Sequence, residues 1–451
     1  MNGGSDKSYL SSYDCLESYD TFNKNLAVIS FADNIAFHYA RKMLDKGLSV
    51  YLFGTNISLA EEVQLKNLAL SKHLLVLGPG CDCQIISGVS IGRIDPMPQG
   101  KIGIISVTGT VLQELCSILE HLGQGVFNAI GAGERDLSVN VGGITTFAVL
   151  DALEKSTDSQ VIIVAVKSIS GIVRNKLAKR LSTFSKPVVT VFLGENPEIH
   201  SSNFYHAYTL EEAAYIAAHL AEKTPISTRS FLAPSLVRFS CSEHRTIRAN
   251  YASSTLAKET AMIIRDTLHL PTSICKNRNY FLNHNGHSVR SWSTTKLMGV
   301  RAHPKVEFSQ RLSGIFQDSQ DTRTGVILLD LYVGHSLPSN PAQQCLSVFR
   351  QIQQYYLSMS KRLFIIVHLC GIQSCENWLP TLHKLKENQI FVCDTNQKAV
   401  ELALYCVGYT PIQSQKSVVT VQQSVFSFSP KKEVVNLLKE KPNILYLGTF
   451  R

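Results

Sequence analysis

Short runs of uninterrupted apolar residues alternate with longer stretches whose apolar positions recur every three or four residues. Runs of the first kind fit strands buried on both faces; stretches of the second kind fit amphipathic helices. LAVIS (26–30), IAFHYARKML (35–44) and LSVYLF (48–53) make a first βαβ unit. The same rhythm predicts a helix over AEEVQLKNLALSK, strands at HLLVLG and KIGIISV, a helix from Leu112 to Leu122 and a strand at VFNAIGAG. A helix over TTFAVLDALE, strands at QVIIVAV and KPVVTVFLG, and a helix over EEAAYIAAHLA extend it to about residue 222. A second series follows: TGVILLDLYVG, a helix over AQQCLSVFRQIQQYY, RLFIIVHLCG, a helix near NWLPTLHKLKEN, QIFVCD and a helix over QKAVELALYCVG. The fold class this predicts is α/β, with two doubly wound parallel-sheet units of Rossmann or flavodoxin-like type.

The pattern also divides the chain. Residues 1–23, rich in Ser, Tyr and Asp, read as a flexible lead; 24–105 and 106–222 are two α/β domains; 311–408 is a further one. Between them, 223–310 loses the rhythm, holds Pro225, Pro234, Pro271 and Pro304, and reads as an irregular connector. Residues 409–451 form a weakly patterned extension with a helix at KKEVVNLLKE and a final strand at NILYLG.

Charge changes the picture of the connector. The chain of 451 residues carries a net charge of +9, yet residues 223–305 alone hold 13 Lys/Arg against 3 Asp/Glu. Such a stretch suits a polyphosphate or a solvated surface. Few aromatics interleave with it, Tyr251, Tyr280, Phe281 and Trp292 being the candidates, so no nucleic-acid partner is expected. No uncharged apolar run nears the roughly 20 residues of a membrane span, so no membrane partner is expected. The acidic N-terminus lacks an apolar signal region, which predicts a cytoplasmic protein. Eleven cysteines without a CxxC pair read as reduced thiols.

In open parallel sheets, ligands bind beyond the carboxyl ends of strands, where the next helix offers free N–H groups. Gly78-Pro79-Gly80-Cys81, Ser106-Val107-Thr108-Gly109-Thr110 and Gly131-Ala132-Gly133 occupy such positions. Each glycine alone also fits a plain strand-to-helix turn.

The order of these motifs is specific: GPGC, PQGKIGIISVTGT with LQE, GQG, IGAGERDLS and VGGITTFAVLDALE. In this order they resemble the succinyl-CoA synthetase and acyl-CoA ligase superfamily, most closely its FdrA branch. The resemblance implies a CoA-binding Rossmann domain over 24–105, although its first βαβ unit has no counterpart in the lead, and a flavodoxin-like CoA-ligase domain over 106–222. It places Phe53, Gly54 and Thr55 at the CoA contact, matches Cys81 to the cysteine of GPNC, and matches Thr108, Gly109 and Thr110 to the SGT turn. With Gly78, Gly131 and Gly133 these are the candidate cofactor-binding residues, for coenzyme A or a nucleotide. The family's phosphorylated histidine motif GHAGA is absent; His200 and His206 follow the right strand without its glycines, and Val166-Lys167-Ser168 stand where the ligase has a supporting Glu. In the second half NYASSTLAKET, RAHPKVEF and ILLDLYVGHS resemble FdrA motifs, with Ser253 and Ser254 replacing two glycines.

Single residues leave alternatives open. Asp330 at a strand end suits a magnesium–phosphate complex or a loop hydrogen bond. His303 and His335 suit anion contact or a structural role. His284 and His287 flank a turn-forming Asn-Gly, which argues against a metal site. Cys81-Asp82-Cys83 suits a reactive thiol or packing.

The resemblance therefore implies an FdrA-like acyl-CoA synthetase homologue working without phosphohistidine on a small-molecule acid or an acyl or carbamoyl phosphate, as a homo- or hetero-oligomer. Two alternatives stand beside it: a component of an oxamate carbamoyltransferase, to which FdrA-type proteins have been linked, and a non-catalytic subunit.

Overall fold

The computed structural model describes residues 24–31, 35–53, 57–194, 203–225, 239, 243–271, 279–293, 302–411, 438 and 440–448. The apolar runs become strands of three sheets. Strands β1 (Leu26–Ser30), β2 (Ser49–Leu52) and β3 (Val76–Leu77) are parallel, with helices α1 (Ile35–Asp45) and α2 (Leu59–Ser71) between them. Ser58 begins α2 with a capping box: its hydroxyl accepts the Glu61 amide, and Glu61 accepts the Ser58 amide. β17 (Ile444–Gly448), the predicted NILYLG strand, lies parallel against β1, with Leu26 paired to Ile444. The C-terminal segment thus supplies the edge strand of the first sheet.

The second sheet has seven strands, β4 (Cys83–Ile86), β5 (Val89–Gly92), β6 (Ile102–Ser106), β7 (Val126–Gly131), β8 (Val161–Val166), β9 (Val188–Phe192) and β10 (Phe204–Ala207), in the order β10-β9-β8-β6-β7-β4-β5. Its helices are α3 (Gly109–His121), α4 (Ile144–Lys155), α5 (Gly171–Leu181) and α6 (Leu210–Glu222). The β4–β5 hairpin is antiparallel and was not read from the sequence; HLLVLG contributes only the two residues of β3.

The ERDLS segment ties the first sheet to the second. Lys66 of α2, wholly buried, sits 2.8 Å from Glu62 and 2.7 Å from Asp136. Asp136 in turn accepts the Thr146 amide at the start of α4. Arg135 reaches back to Glu62 at 2.7 Å. A buried lysine with two carboxylates is stable only when fully paired, which fixes the geometry of this junction.

The third sheet has the order β12-β13-β11-β14-β15-β16, from β11 (Thr246–Tyr251), β12 (Tyr280–His284), β13 (His287–Ser291), β14 (Thr324–Tyr332), β15 (Phe364–Cys370) and β16 (Phe391–Cys393). Its helices are α7 (Ser254–Thr267), α8 (Ser309–Ser319), α9 (Pro341–Ser358), α10 (Trp378–Glu387) and α11 (Asn396–Cys406). The irregular connector is corrected here: β11, α7, β12 and β13 all fall within 223–310 and form half of this sheet. Its charges hid the pattern because they serve the fold. Arg248 pairs with Asp321 at 2.8 Å, and Arg290 pairs with Asp318 at 2.9 Å while its guanidinium lies 4.5 Å from the Trp292 ring. The counter-charges Asp318 and Asp321 come from the end of α8 and the segment between it and β14, so these two arginines serve the fold.

Helix α3 is the axis between the second and third sheets; every residue from Gly109 to Leu119 is buried. Four of its polar residues meet the third unit. Gln113 accepts from Lys305 at 2.5 Å, Glu114 meets His368 at 2.6 Å, Ser117 donates to the Gly371 carbonyl at 2.8 Å, and Glu120 accepts the Gln373 amide at 2.6 Å. Among the described residues no helix is long and apolar enough to cross a membrane.

Candidate functional site

Two helices start face to face. α3 begins after β6 at Thr108, and α7 begins after β11 at Ser253. The hydroxyls of Thr108 and Thr255 lie 3.4 Å apart, both buried. Thr108 makes no side-chain cap for its own helix, whereas the Ser253 hydroxyl accepts the Thr255 amide. Lys167, just past β8, donates to the Ser254 hydroxyl at 2.6 Å, and the Lys167 carbonyl accepts from Lys258 at 2.6 Å. Lys167 also lies 3.7 Å from Glu134; side-chain exposures of 20% and 50% make this the side on which the junction reaches solvent. Two positive helix ends and a lysine ammonium at one point suit an anion.

Asp82 already brings a negative charge to this place. A Cβ built on Gly109 would come within 2.0 Å of its carboxylate oxygen. Burial pushes the Asp82 pKa up, but Lys305 at 3.4 Å and Arg93 at 3.6 Å outweigh it and hold the group below the usual carboxylate range. Gly109→Asp would therefore collide with Asp82 and test the fold rather than a ligand.

Of the predicted site residues, Thr108, Gly109 and Thr110 lie at the start of α3. Gly78, Cys81, Gly131 and Gly133 come together beside them, packed backbone to backbone. Gly78 donates to the Gly131 carbonyl at 3.1 Å, and a Cβ on Gly131 would meet the Cys81 sulfur at 2.0 Å. Gly133 has φ +107° and leaves no room for a Cβ against Gly78. These glycines are required by close approach. Cys81 is buried, its thiol donating to the Cys83 carbonyl at 3.2 Å, which is a packing role. Phe53 ends the first sheet under the Arg93 guanidinium, 5.5 Å from its ring. Gly54, Thr55 and His200 lie outside the described residues.

Asp330 does not fit a magnesium ion. One carboxylate oxygen accepts the Ala252 amide and Arg311, the other the Ser253 amide and the Tyr332 hydroxyl, so both are fully engaged. His287 spends its Nδ1 on the Ile247 amide. The Nδ1 of His303 accepts the Lys305 amide, and burial followed by Lys305 pushes its pKa down to about 3. His335 is exposed, and the Nδ1 of His206 faces the Thr190 hydroxyl at 3.1 Å.

Thr255, Lys258, Asp82 and Arg93 were missed as site residues. Their motifs were visible, but no local pattern brings together positions 147 residues apart.

The fold is one of parallel sheets in which two helix starts converge on an anion-ready junction. Residues 251–406 match the CoA-ligase family model. The Escherichia coli (strain K12) protein YahF is 28% identical over 360 residues, spanning 77% of this chain and 70% of YahF. Subunit alpha 1 of the ADP-forming succinate–CoA ligase of Archaeoglobus fulgidus is 26% identical over 197 residues, 43% of this chain and 66% of that subunit. Among solved structures, PH0766 from Pyrococcus horikoshii OT3 aligns over 85% of this chain and 83% of its own at 12% identity and a TM-score of 0.36. The apo form of the dinucleotide-forming acetyl-coenzyme A synthetase 1 of Ca. Korarchaeum cryptofilum aligns over the same shares at 13% identity and a TM-score of 0.35. The sequence matches bear out the resemblance to the succinyl-CoA synthetase and acyl-CoA ligase superfamily.

Proposed function

We propose that the chain is an FdrA-like, cytoplasmic acyl-CoA synthetase homologue that holds a phosphate-bearing ligand, either CoA, a nucleotide or an acyl phosphate, where α3 and α7 begin. The observation that carries this reading is the convergence of Thr108, Thr255 and Lys167 at two helix N-termini. The backbone N–H groups and dipoles favour the anion, the threonine hydroxyls turn to donate, and Lys167 adds a full charge. Val166-Lys167-Ser168 where the ligase has a supporting glutamate, together with the missing GHAGA, fits non-covalent binding rather than transfer through phosphohistidine.

Thermal unfolding of the full chain with CoA, ATP, GTP or carbamoyl phosphate tests it, because a ligand of the folded state raises the midpoint by mass action. At least one is expected to do so, and Lys167→Met should weaken it roughly 10- to 100-fold, the worth of one charge-assisted hydrogen bond. A response to carbamoyl phosphate alone would favour the carbamoyltransferase reading. No response to any of the four, or full affinity in Lys167→Met, would sink the site.

A further inference from the structure

Away from this junction, α3 and β15 bring three metal-binding side chains together in the interior. The donor atoms of Glu114, His368 and Cys370 lie within 4.8 Å of one another, and all three residues are buried. We propose that they form a binding site for one zinc-class transition-metal ion that pins α3 to the third sheet.

The donor set is a thiol, an imidazole and a carboxylate, which suits a borderline ion such as Zn2+ and not the all-oxygen preference of Mg2+ or Ca2+. The surrounding groups already orient it. The Nδ1 of His368 faces the Cys393 carbonyl at 3.4 Å, which leaves Nε2 directed at Glu114. The other oxygen of Glu114 is fixed by the Asn396 amide at 3.0 Å. Outer contacts of this kind hold metal ligands in place. Charge also balances: one carboxylate and one thiolate neutralise a divalent ion, so the loaded site buries no net charge.

In the metal-free geometry a proton occupies the 2.6 Å gap between Glu114 and His368. An ion replaces it if the two donors part to about 3.3 Å, the separation set by tetrahedral bonds near 2.0 Å. A cavity of about 10 Å³, lined by Gln113, Tyr332, Cys370 and Gly371 among others, adjoins the cluster at Cys370. The Cys370 thiol also hydrogen-bonds the Glu114 carboxylate, so all three donors already meet at Glu114.

The full chain, purified and desalted, should retain about one equivalent of zinc, and cobalt in its place should give a thiolate-to-metal charge-transfer band. Cys370→Ala leaves the Glu114–His368 pair intact, so it should stay folded by circular dichroism yet lose the band and at least tenfold in zinc affinity. His368→Ala should lose the metal entirely. Lys167→Met should keep it, which separates this site from the phosphate junction. A wild-type chain that binds neither zinc nor cobalt, or a Cys370→Ala chain that holds the ion as tightly, overturns the proposal.

Discussion

Helices α3 and α7 both begin beside a carboxylate of their own chain, and they differ in how firmly that carboxylate is held. At α7, Asp330 is completely buried, ion-paired to Arg311 at 2.7 Å and saturated by four hydrogen-bond donors. At α3, the Asp82 side chain is 23% exposed and its nearest cations stand at 3.4 and 3.6 Å. One helix start has been closed by its own acid; the other keeps an acid that is less firmly held. Two serines replacing glycines at α7 fit the same difference, because Ser253 caps its own helix and Ser254 serves Lys167.

Removing the cation from the closed end should have the largest effect. Arg311→Met leaves Asp330 charged, buried and unpaired, at a cost of about 3–5 kcal/mol in stability. Urea unfolding followed by tryptophan fluorescence is the measurement, since both tryptophans, Trp292 and Trp378, belong to the third-sheet unit. A loss below about 1 kcal/mol would mean that the closed end is not closed.

Acid should weaken the same unit next. Burial, aided by Arg248, pushes the His287 pKa down to about 4 from its ordinary 6.5. The unfolded chain therefore takes up the proton first: stability is complete above about pH 6.5 and is lost as pH falls toward 4, by about 3 kcal/mol in all. Unfolding midpoints at pH 7 and pH 5 should differ less in His287→Gln than in the parent; equal slopes would remove His287 as the cause.

The smallest effect concerns the open end. Asp82→Asn should raise affinity for inorganic phosphate about tenfold, or 1.4 kcal/mol, by removing a competing charge. Asp330→Asn should not raise it. If titration calorimetry finds both variants alike, the two helix starts are equivalent after all.

The alternation of apolar runs and helical periods made most of the second sheet legible, because strands buried on both faces leave continuous apolar sequence, as in VIIVAV and VVTVF. It failed where strand positions, even buried ones, are polar. β12 and β13, with Asn283, Arg290 and four serine or histidine residues, carry too few apolar residues to stand out, and so read as connector. At the site, the glycine turns were visible as turns, but their partners were not. Lys305 meets Asp82 across 223 residues of chain, a contact that only the packing of α3 against the third sheet creates.

The pairing of β17 with β1 has a consequence for synthesis. Asn25 and Asn443 stand 418 residues apart and share a hydrogen bond. At translation speeds of about 5–20 residues per second, β1 waits roughly 20 to 80 s for its neighbour. During that interval the nascent first sheet shows an unpaired edge to the cell, and other strands can compete for it. The third-sheet unit is made entirely within that wait and can complete its own core before the first sheet closes. Shielding by a chaperone should therefore matter most at the N-terminal unit, although that unit leaves the ribosome first.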